Sequence, residues 1–256
     1  MIKIAFFDID GTLVDPNRKQ PSGKILETLK RLREKNIIIC IATGRAPMEL
    51  PHFEGVEFDA FLTFNGSYCY NNKEMIFGNS IPTEDVKTII DNARSINRPL
   101  SLATGSRLAA NGKDRDLIEY YGFANIEVEV AEDFNEVAKE KIYQIMMGCA
   151  KEDYSLILKG VKDAKITYWW DRAVDIIPAN GGKGLGIRKV LEYYDIDKSE
   201  AIAFGDGNND IEMLQNVGCG VAMANGSDDL KQVAHYICGD VAEDGVYYYC
   251  LEKGLI

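Results

Sequence analysis

The sequence is poor in the residues that most often build metal and nucleophile centres. It has two histidines, His52 and His235, in unrelated contexts, and both read as loop or surface residues. Its six cysteines (Cys40, Cys69, Cys149, Cys219, Cys238 and Cys250) are scattered and form no C-x-x-C pair. That excludes a zinc site of the usual spacing and fits reduced thiols in apolar runs such as IIIC. Positive charge is also short: 29 Lys and Arg stand against 40 Asp and Glu, a net charge of -11. Such a surface repels nucleic-acid phosphates and anionic membranes. It repels a phosphorylated substrate too, unless local cations and a metal reverse the field at one site. Long apolar runs are missing, since none approaches the roughly 20 residues of a membrane span. The opening MIKIAFFDID lacks the charged stretch and longer apolar run of a secretory signal, so the expectation is a cytoplasmic protein.

What is present is an ordinary globular balance, 46% hydrophobic and 27% charged over 256 residues. That length holds one large domain, or a core with a second domain inserted. Residues 2–7, IKIAFF, are almost unbroken apolar and end in an acidic turn, as a strand buried on both faces does. Ser22 can cap a helix with Ile25, Leu26, Leu29 and Leu32 on one face, ending near Asn36. Buried runs at 37–42 and 60–64 follow, ending in Thr43-Gly44-Arg45 and Asn65-Gly66. The same alternation returns late, with helices at 184–194 and 209–216 and from Ser227, and strands at 201–206 and 218–223. It predicts a doubly wound parallel sheet, an α/β fold. Between these halves the texture changes. Helices are expected at 83–96, 113–121 and 153–161, and strands near 100–110, 126–130, 141–149, 165–170 and 173–177. Strands in adjacent groups predict an α+β domain with an antiparallel sheet. The division is therefore a core of residues 1–81 and 183–256 with an inserted domain at 82–182.

Asp8 and Asp10 lie two apart at the end of the first strand, where alternation puts both carboxylates on one side. That edge is where open α/β sheets bind ligands. The spacing alone says little, because Asp114-x-Asp116 and Asp195-x-Asp197 share it and read as solvated helix or turn acids. The setting singles out the first pair: an apolar strand before it, and Gly11-Thr12-Leu13 after it, where glycine allows a sharp turn. Phosphoryl transfer to a carboxylate brings two anions together, and it needs a divalent cation with donors aimed at the phosphate oxygens. Other segments offer these: Thr43 and Gly44, Lys183 at a helix start, and Gly205-Asp206-Gly207-Asn208-Asn209-Asp210 directly after a buried strand. Hard oxygen ligands of this kind suit Mg2+. Taken singly, TGR is a strand-to-helix turn, GDGNND a calcium loop or acidic turn, and Lys183 a solvated charge. Their order, each at a strand end or in the returning linker, argues for one site.

On these residues the chain resembles the haloacid dehalogenase-like phosphatases, and within them the Cof-like sugar-phosphatase subgroup with a type-IIB cap. FFDIDGTL resembles the first motif, ATGR the second, Lys183-Gly184 the third and GDGNNDIEML the fourth. Asn65-Gly66 and EDGV at 243–246 are also similar to that subgroup. The resemblance implies a phosphatase with Asp8 as nucleophile and Asp10 as general acid and base. It implies magnesium held by the Asp8 carboxylate, the Asp10 carbonyl and Asp206, with Asp210 orienting that set. The substrate phosphate would meet the N–H groups of Ile9 and Asp10, Thr43, Gly44, Lys183 and Asn209. Gly182 departs from the family, which often has a polar residue there, and implies a looser loop. Asp10 must be protonated in the first half-reaction and basic in the second, which a carboxyl of raised pKa can do.

A phosphotransferase or mutase using the same aspartyl-phosphate is the nearest alternative. A receiver domain is disfavoured by Asp10 and by the large insertion. A P-loop kinase fails, because no glycine stands five positions before Gly182 and no Ser or Thr follows Lys183. A non-catalytic phosphate-binding protein would lack Asp8 or Asp10. The expected partner is a small phosphorylated metabolite, a sugar phosphate by resemblance. Arg107, Tyr168, Trp169, Trp170, Arg172 and Asp175 are candidates to face it, Arg172 and Asp175 foremost, although such aromatics commonly pack a core.

Overall fold

The computed structural model describes residues 1–18, 20–124, 126–168 and 170–256, so the expectation placed on Trp169 lies outside the described residues. The chain divides into two compact units. Met1–Thr43, Pro51–Phe77 and Lys183–Ile256 form the first; Gly44–Leu50 and Gly78–Gly182 form the second. The division drawn from sequence had left residues 44–50 and 78–81 in the core. Pairing explains the difference: Gln144 Nε2 donates to the Gly44 carbonyl at 3.1 Å, and Ile81 forms an antiparallel bridge with Ile142.

In chain order the first unit begins with β1 (Ile4–Phe7), α1 (Gly23–Glu34), β2 (Ile38–Ala42), β3 (Ala60–Thr63), β4 (Tyr68–Tyr70) and β5 (Met75–Gly78). The second unit holds α2 (Thr83–Ser95), β6 (Leu100–Ala103), β7 (Leu108–Ala110), α3 (Arg115–Phe123), α4 (Phe134–Val137), β8 (Gln144–Gly148), α5 (Tyr154–Ile157), β9 (Ala164–Thr167) and β10 (Ala173–Pro178). The chain returns through α6 (Lys183–Tyr194), β11 (Ala201–Gly205), α7 (Ile211–Gln215), β12 (Cys219–Ala222), α8 (Asp228–Val233), β13 (Tyr236–Ile237) and α9 (Gly245–Glu252). Among the described residues no helix is long and apolar enough to cross a membrane.

The first unit is an eight-stranded sheet of order β13-β12-β11-β1-β2-β3-β4-β5. Strands β13 to β3 are mutually parallel, and β4 runs antiparallel to β3. Helices cover both faces, as the unbroken apolar strands require. On one face Phe6, Cys40, Leu62 and Ala203 pack against Ile187 and Val190 of α6 and Leu214 of α7. Facing the other way, Phe7 stacks on Phe204 with ring centroids 5.3 Å apart, and Phe204 meets Tyr249 of α9 edge-on at 5.5 Å. Each such fully buried ring contributes about 1.5–3 kcal/mol. Helix α1 begins where Ser22 accepts the Ile25 N–H at 3.2 Å, and it buries Ile25, Leu29 and Leu32. From β1 the chain builds β2 and β3 on one side, then returns as β11 on the other. The crevice at that reversal is where such sheets bind ligands.

The second unit is a five-stranded sheet, β7-β6-β8-β10-β9, with every neighbouring pair antiparallel. Leu102, Ile145, Met147, Val174 and Ile176 form one face and pack on Val86 and Ile89 of α2. Alternation sends Ser101, Gln144 and Asp175 to the opposite face, where α3 packs. The strand expected at 126–130 does not form. Only an isolated bridge from Val130 to Ala110 exists there. The helix expected at 153–161 shortens to α5.

Candidate active site

The ends of β1, β2 and β11 lie side by side because Phe7 is in register with Ile41 on one side and Phe204 on the other. Asp8, the next residue, is buried, while Asp10 is exposed. Asp8, Asp206 and Asp210 each bring one carboxylate oxygen within 4.8 Å of the others. Lys183 opens α6 with its ammonium fully buried, 2.7 Å from Asp8 Oδ1 and 2.5 Å from Asp210 Oδ1. It is therefore no solvated surface charge. Asp210 Oδ2 accepts the N–H groups of Asp206 and Gly207, each at 3.0 Å, which holds the turn after β11 in place. Thr12 Oγ1 donates to Asp206 Oδ1 at 3.0 Å. Gly11 makes this approach sterically open. Its φ of +81° suits glycine, and a Cβ there would collide with the Asp206 carboxylate. The Ile9 carbonyl accepts N–H groups from Thr12, Leu13 and Val14, closing the turn that follows Asp8.

Burial and charge work against each other here. Burial, with the negative fields of Asp210 and Asp10 added, raises the Asp8 carboxyl to about 7 although Lys183 pulls it down. Asp206 is raised well above the ordinary carboxylate value by burial and by Asp8 and Asp210, despite the hydroxyl of Thr12. Burial lowers the pKa of Lys183, but the carboxylates of Asp210 and Asp8 outweigh it, so the ammonium is held firmly protonated. Three carboxylates facing one ammonium leave two negative charges over at full ionisation. A divalent cation would cancel them, and a hard all-oxygen donor set suits magnesium.

Thr43 is buried at the end of β2, and its carbonyl accepts the Asn65 N–H at 2.9 Å. Asn209 Nδ2 donates to Asn65 Oδ1 at 3.1 Å, so Asn65, noted from sequence only as part of a similar dipeptide, joins the network. Phe64, Asn65 and Gly66 have φ of 51°, 53° and 80°. For Phe64 that conformation costs about 1–2 kcal/mol, whereas asparagine tolerates it. Gly182 has φ 134°, a conformation that favours glycine, which gives its departure from the family a backbone reason. EDGV at 243–246 acts elsewhere: Asp244 accepts the hydroxyl of Ser22 and pairs with Lys24 at 3.4 Å, tying α9 to the start of α1. Asp114 caps α3 by accepting the Leu117 N–H, and with Asp116 it pairs with Arg98.

In the second unit Arg172 pairs with Glu119 at 2.6 Å and Asp116 at 3.4 Å and lies 4.3 Å over the Trp170 ring. Phe123 meets Trp170 edge-on, so this part of the aromatic cluster packs together. Arg107 pairs with Asp133 at 2.7 Å, and Tyr168 is exposed. Asp175 is fully buried, and its Oδ1 accepts from Tyr120 at 2.6 Å and from Gln144 at 3.1 Å. Gly44 lies in the second unit, under the hydrogen bond from Gln144.

The chain is similar to known proteins in sequence and fold. The sequence profile of the haloacid dehalogenase-like hydrolases matches residues 5–250. The 5-amino-6-(5-phospho-D-ribitylamino)uracil phosphatase YitU of Bacillus subtilis is 30% identical over 259 residues, covering 96% of this chain and 95% of that protein. An HMP-PP phosphatase of Klebsiella pneumoniae is 26% identical over 263 residues, covering 97% and 94%. Among solved structures, a subclass IIB sugar phosphatase superimposes with a TM-score of 0.91 at 28% identity, over 99% of this chain and 100% of that one. A profile match over nearly the whole length, with strand-end acids gathered at the sheet reversal, shows that the chain belongs to the haloacid dehalogenase-like hydrolases and is a phosphatase of that family.

Proposed function

We propose that this phosphatase hydrolyses a small phosphorylated metabolite, a sugar phosphate by preference, with magnesium and through an aspartyl-phosphate on Asp8. The observation that carries the proposal is a buried carboxylate, Asp8, clustered with Asp206, Asp210 and a buried Lys183, two residues from an exposed Asp10. Asp8 and Asp206, with the Asp10 carbonyl, would hold magnesium, and Asp210 would orient them. When bound, the cation supplies positive charge between the attacking carboxylate and the phosphate.

The remaining chemistry belongs to the chain. An oxygen of Asp8 attacks phosphorus in line, and the ester P–O bond breaks as Asp10 gives its proton to the leaving oxygen. Asp10, now a carboxylate, takes a proton from water, whose oxygen attacks phosphorus. The bond to Asp8 breaks, releasing inorganic phosphate and restoring both acids. Lys183 keeps Asp8 available as a carboxylate, and Thr43, Gly44, Asn209 and the N–H groups of Ile9 and Asp10 receive the phosphate oxygens. The second unit is the proposed source of substrate specificity. Arg172 and Asp175 are the residues proposed to help select the substrate, Arg172 paired with Glu119 and Asp116 and Asp175 bonded to Tyr120 and Gln144. The preference for sugar phosphates rests on likeness to the subclass IIB sugar phosphatase.

Asp8→Asn tests the nucleophile. Phosphate release from a panel of phosphorylated metabolites should fall by three orders of magnitude or more (about 4 kcal/mol in barrier), with an unchanged circular dichroism spectrum. Turnover within about tenfold of wild type would refute the mechanism.

A further inference from the structure

The turn after β3 has a backbone that sequence propensity does not favour. Phe64, Asn65 and Gly66 take φ of 51°, 53° and 80° in succession. Glycine adopts such angles freely and asparagine tolerates them, but a phenylalanine there is an outlier. Backbone strain of this kind persists only where its surroundings enforce it, and it gathers at functional sites. The enforcement is visible: Gly186 of α6 sits so close beneath the turn that a Cβ on it would approach the Gly66 Cα to 2.9 Å.

The strained turn delivers Asn65. This residue is 1% exposed, and it reaches two strand ends at once. Its N–H donates to the Thr43 carbonyl after β2, and its side-chain oxygen accepts from Asn209 Nδ2 after β11. In the sheet β3 and β11 are separated by β1 and β2, so no ladder hydrogen bond joins them. The Asn65–Asn209 bond spans those strand ends and serves no strand pairing. A carboxamide nitrogen has two hydrogens. With one committed to Asn65, the second points in a set direction; without that anchor the amide is free to rotate.

We propose that Asn65 is a positioning residue for phosphate recognition: it orients the Asn209 carboxamide toward a phosphate oxygen and secures the backbone of Thr43. The inference rests on the proposed reading of Asn209 as a phosphate contact. Asn65 itself is buried and acts through Asn209.

The test compares four full-length proteins with magnesium on p-nitrophenyl phosphate: wild type, Asn65→Gly, Asn209→Ala and the double variant. Glycine at 65 keeps the left-handed backbone and the N–H to Thr43 and removes only the carboxamide. Asn65→Gly should lower kcat/KM about tenfold, chiefly through KM, and weaken inhibition by inorganic phosphate by a similar factor. In the Asn209→Ala background the same change should cost less than about twofold, the non-additivity expected of residues acting as one unit. Asn65→Ala, strained at this φ, should melt lower than Asn65→Gly yet match its kinetics. An equal loss from Asn65→Gly in both backgrounds would overturn the proposal, as would kinetics that follow melting temperature across the 65 variants. If Asn209→Ala leaves kcat/KM intact while Asp8→Asn abolishes turnover, the proposal falls and the phosphatase mechanism stands. Retained turnover in Asp8→Asn would instead strike the mechanism.

Discussion

Lys183→Met removes the ammonium that neutralises Asp8 and Asp210 while roughly keeping its volume. The lysine is fully buried, at 2.7 and 2.5 Å from the two carboxylates. Breaking a buried ion pair by deleting one partner costs about 3–5 kcal/mol, because the remaining charge is stranded. In a unit of this size that is a drop of roughly 6–20 °C in melting temperature. The pH dependence gives the argument its sharper edge. The Asp8 carboxyl, raised to about 7, keeps in the fold a proton that the unfolded chain loses near 3.8. Metal-free wild type therefore loses stability as pH rises between those values and levels off above the upper one. Without Lys183 the folded pKa of Asp8 moves higher still, so the variant keeps losing stability past pH 7. Its deficit should be larger at pH 8 than at pH 5.5, where Asp8 is protonated in both proteins. Scanning calorimetry with chelator at the two pH values reads this, with Lys189→Met as control, since Lys189 pairs with Glu192 on the exposed surface. An exposed pair should contribute under about 1 kcal/mol. A Lys183→Met protein melting within about 2 °C of wild type at pH 8 would refute the reasoning, as that shift is under about 1 kcal/mol.

Magnesium binding should strengthen with pH, because the raised carboxyls of Asp8 and Asp206 must lose protons to become ligands. Below pH 7 the Kd should rise about tenfold per pH unit for each proton displaced; calorimetric titration showing a constant Kd from pH 5.5 to 8 would contradict it. Asp244→Ala should destabilise the first unit by about 2 kcal/mol, through loss of the Ser22 and Lys24 bonds, and leave kcat/KM unchanged. A fall in kcat/KM beyond about threefold (~0.65 kcal/mol,) would show that EDGV serves the site after all.

Much of the first unit was legible because its signals are local. An apolar run followed by an acid and glycine marks the end of β1, and Ser22 before an amphipathic stretch marks the start of α1. Strands β4, β5 and β13 were missed. The last is two residues long and the others lie at the far side of the sheet, where pairing with a neighbour, rather than apolar content, makes the strand. The expectation at 126–130 failed for the converse reason: IEVEV alternates well, but of these residues only Val130 finds a bridge, to Ala110 of β7.

The candidate site divides along the same line. Sequence alone singled out the candidates, since Asp8, Lys183, Asp206 and Asp210 stand in motifs whose residue types suit phosphoryl transfer. It also determined that strand ends would present them, because alternation and turn glycines act over a few residues. Spacing alone could not separate Asp8-x-Asp10 from Asp114-x-Asp116; the flanking residues did, and the structure places the second pair at the cap of α3 and on Arg98. Tertiary structure alone decided that Lys183 is buried between two carboxylates, and that Asn65 reaches Asn209 from three strand positions away. It also grouped Gly44–Leu50 with the second unit. The physical reason is range. Propensity and alternation act between neighbours along the chain, whereas burial, field and hydrogen-bond partnership are set by strand order, which brings together residues that sequence holds far apart.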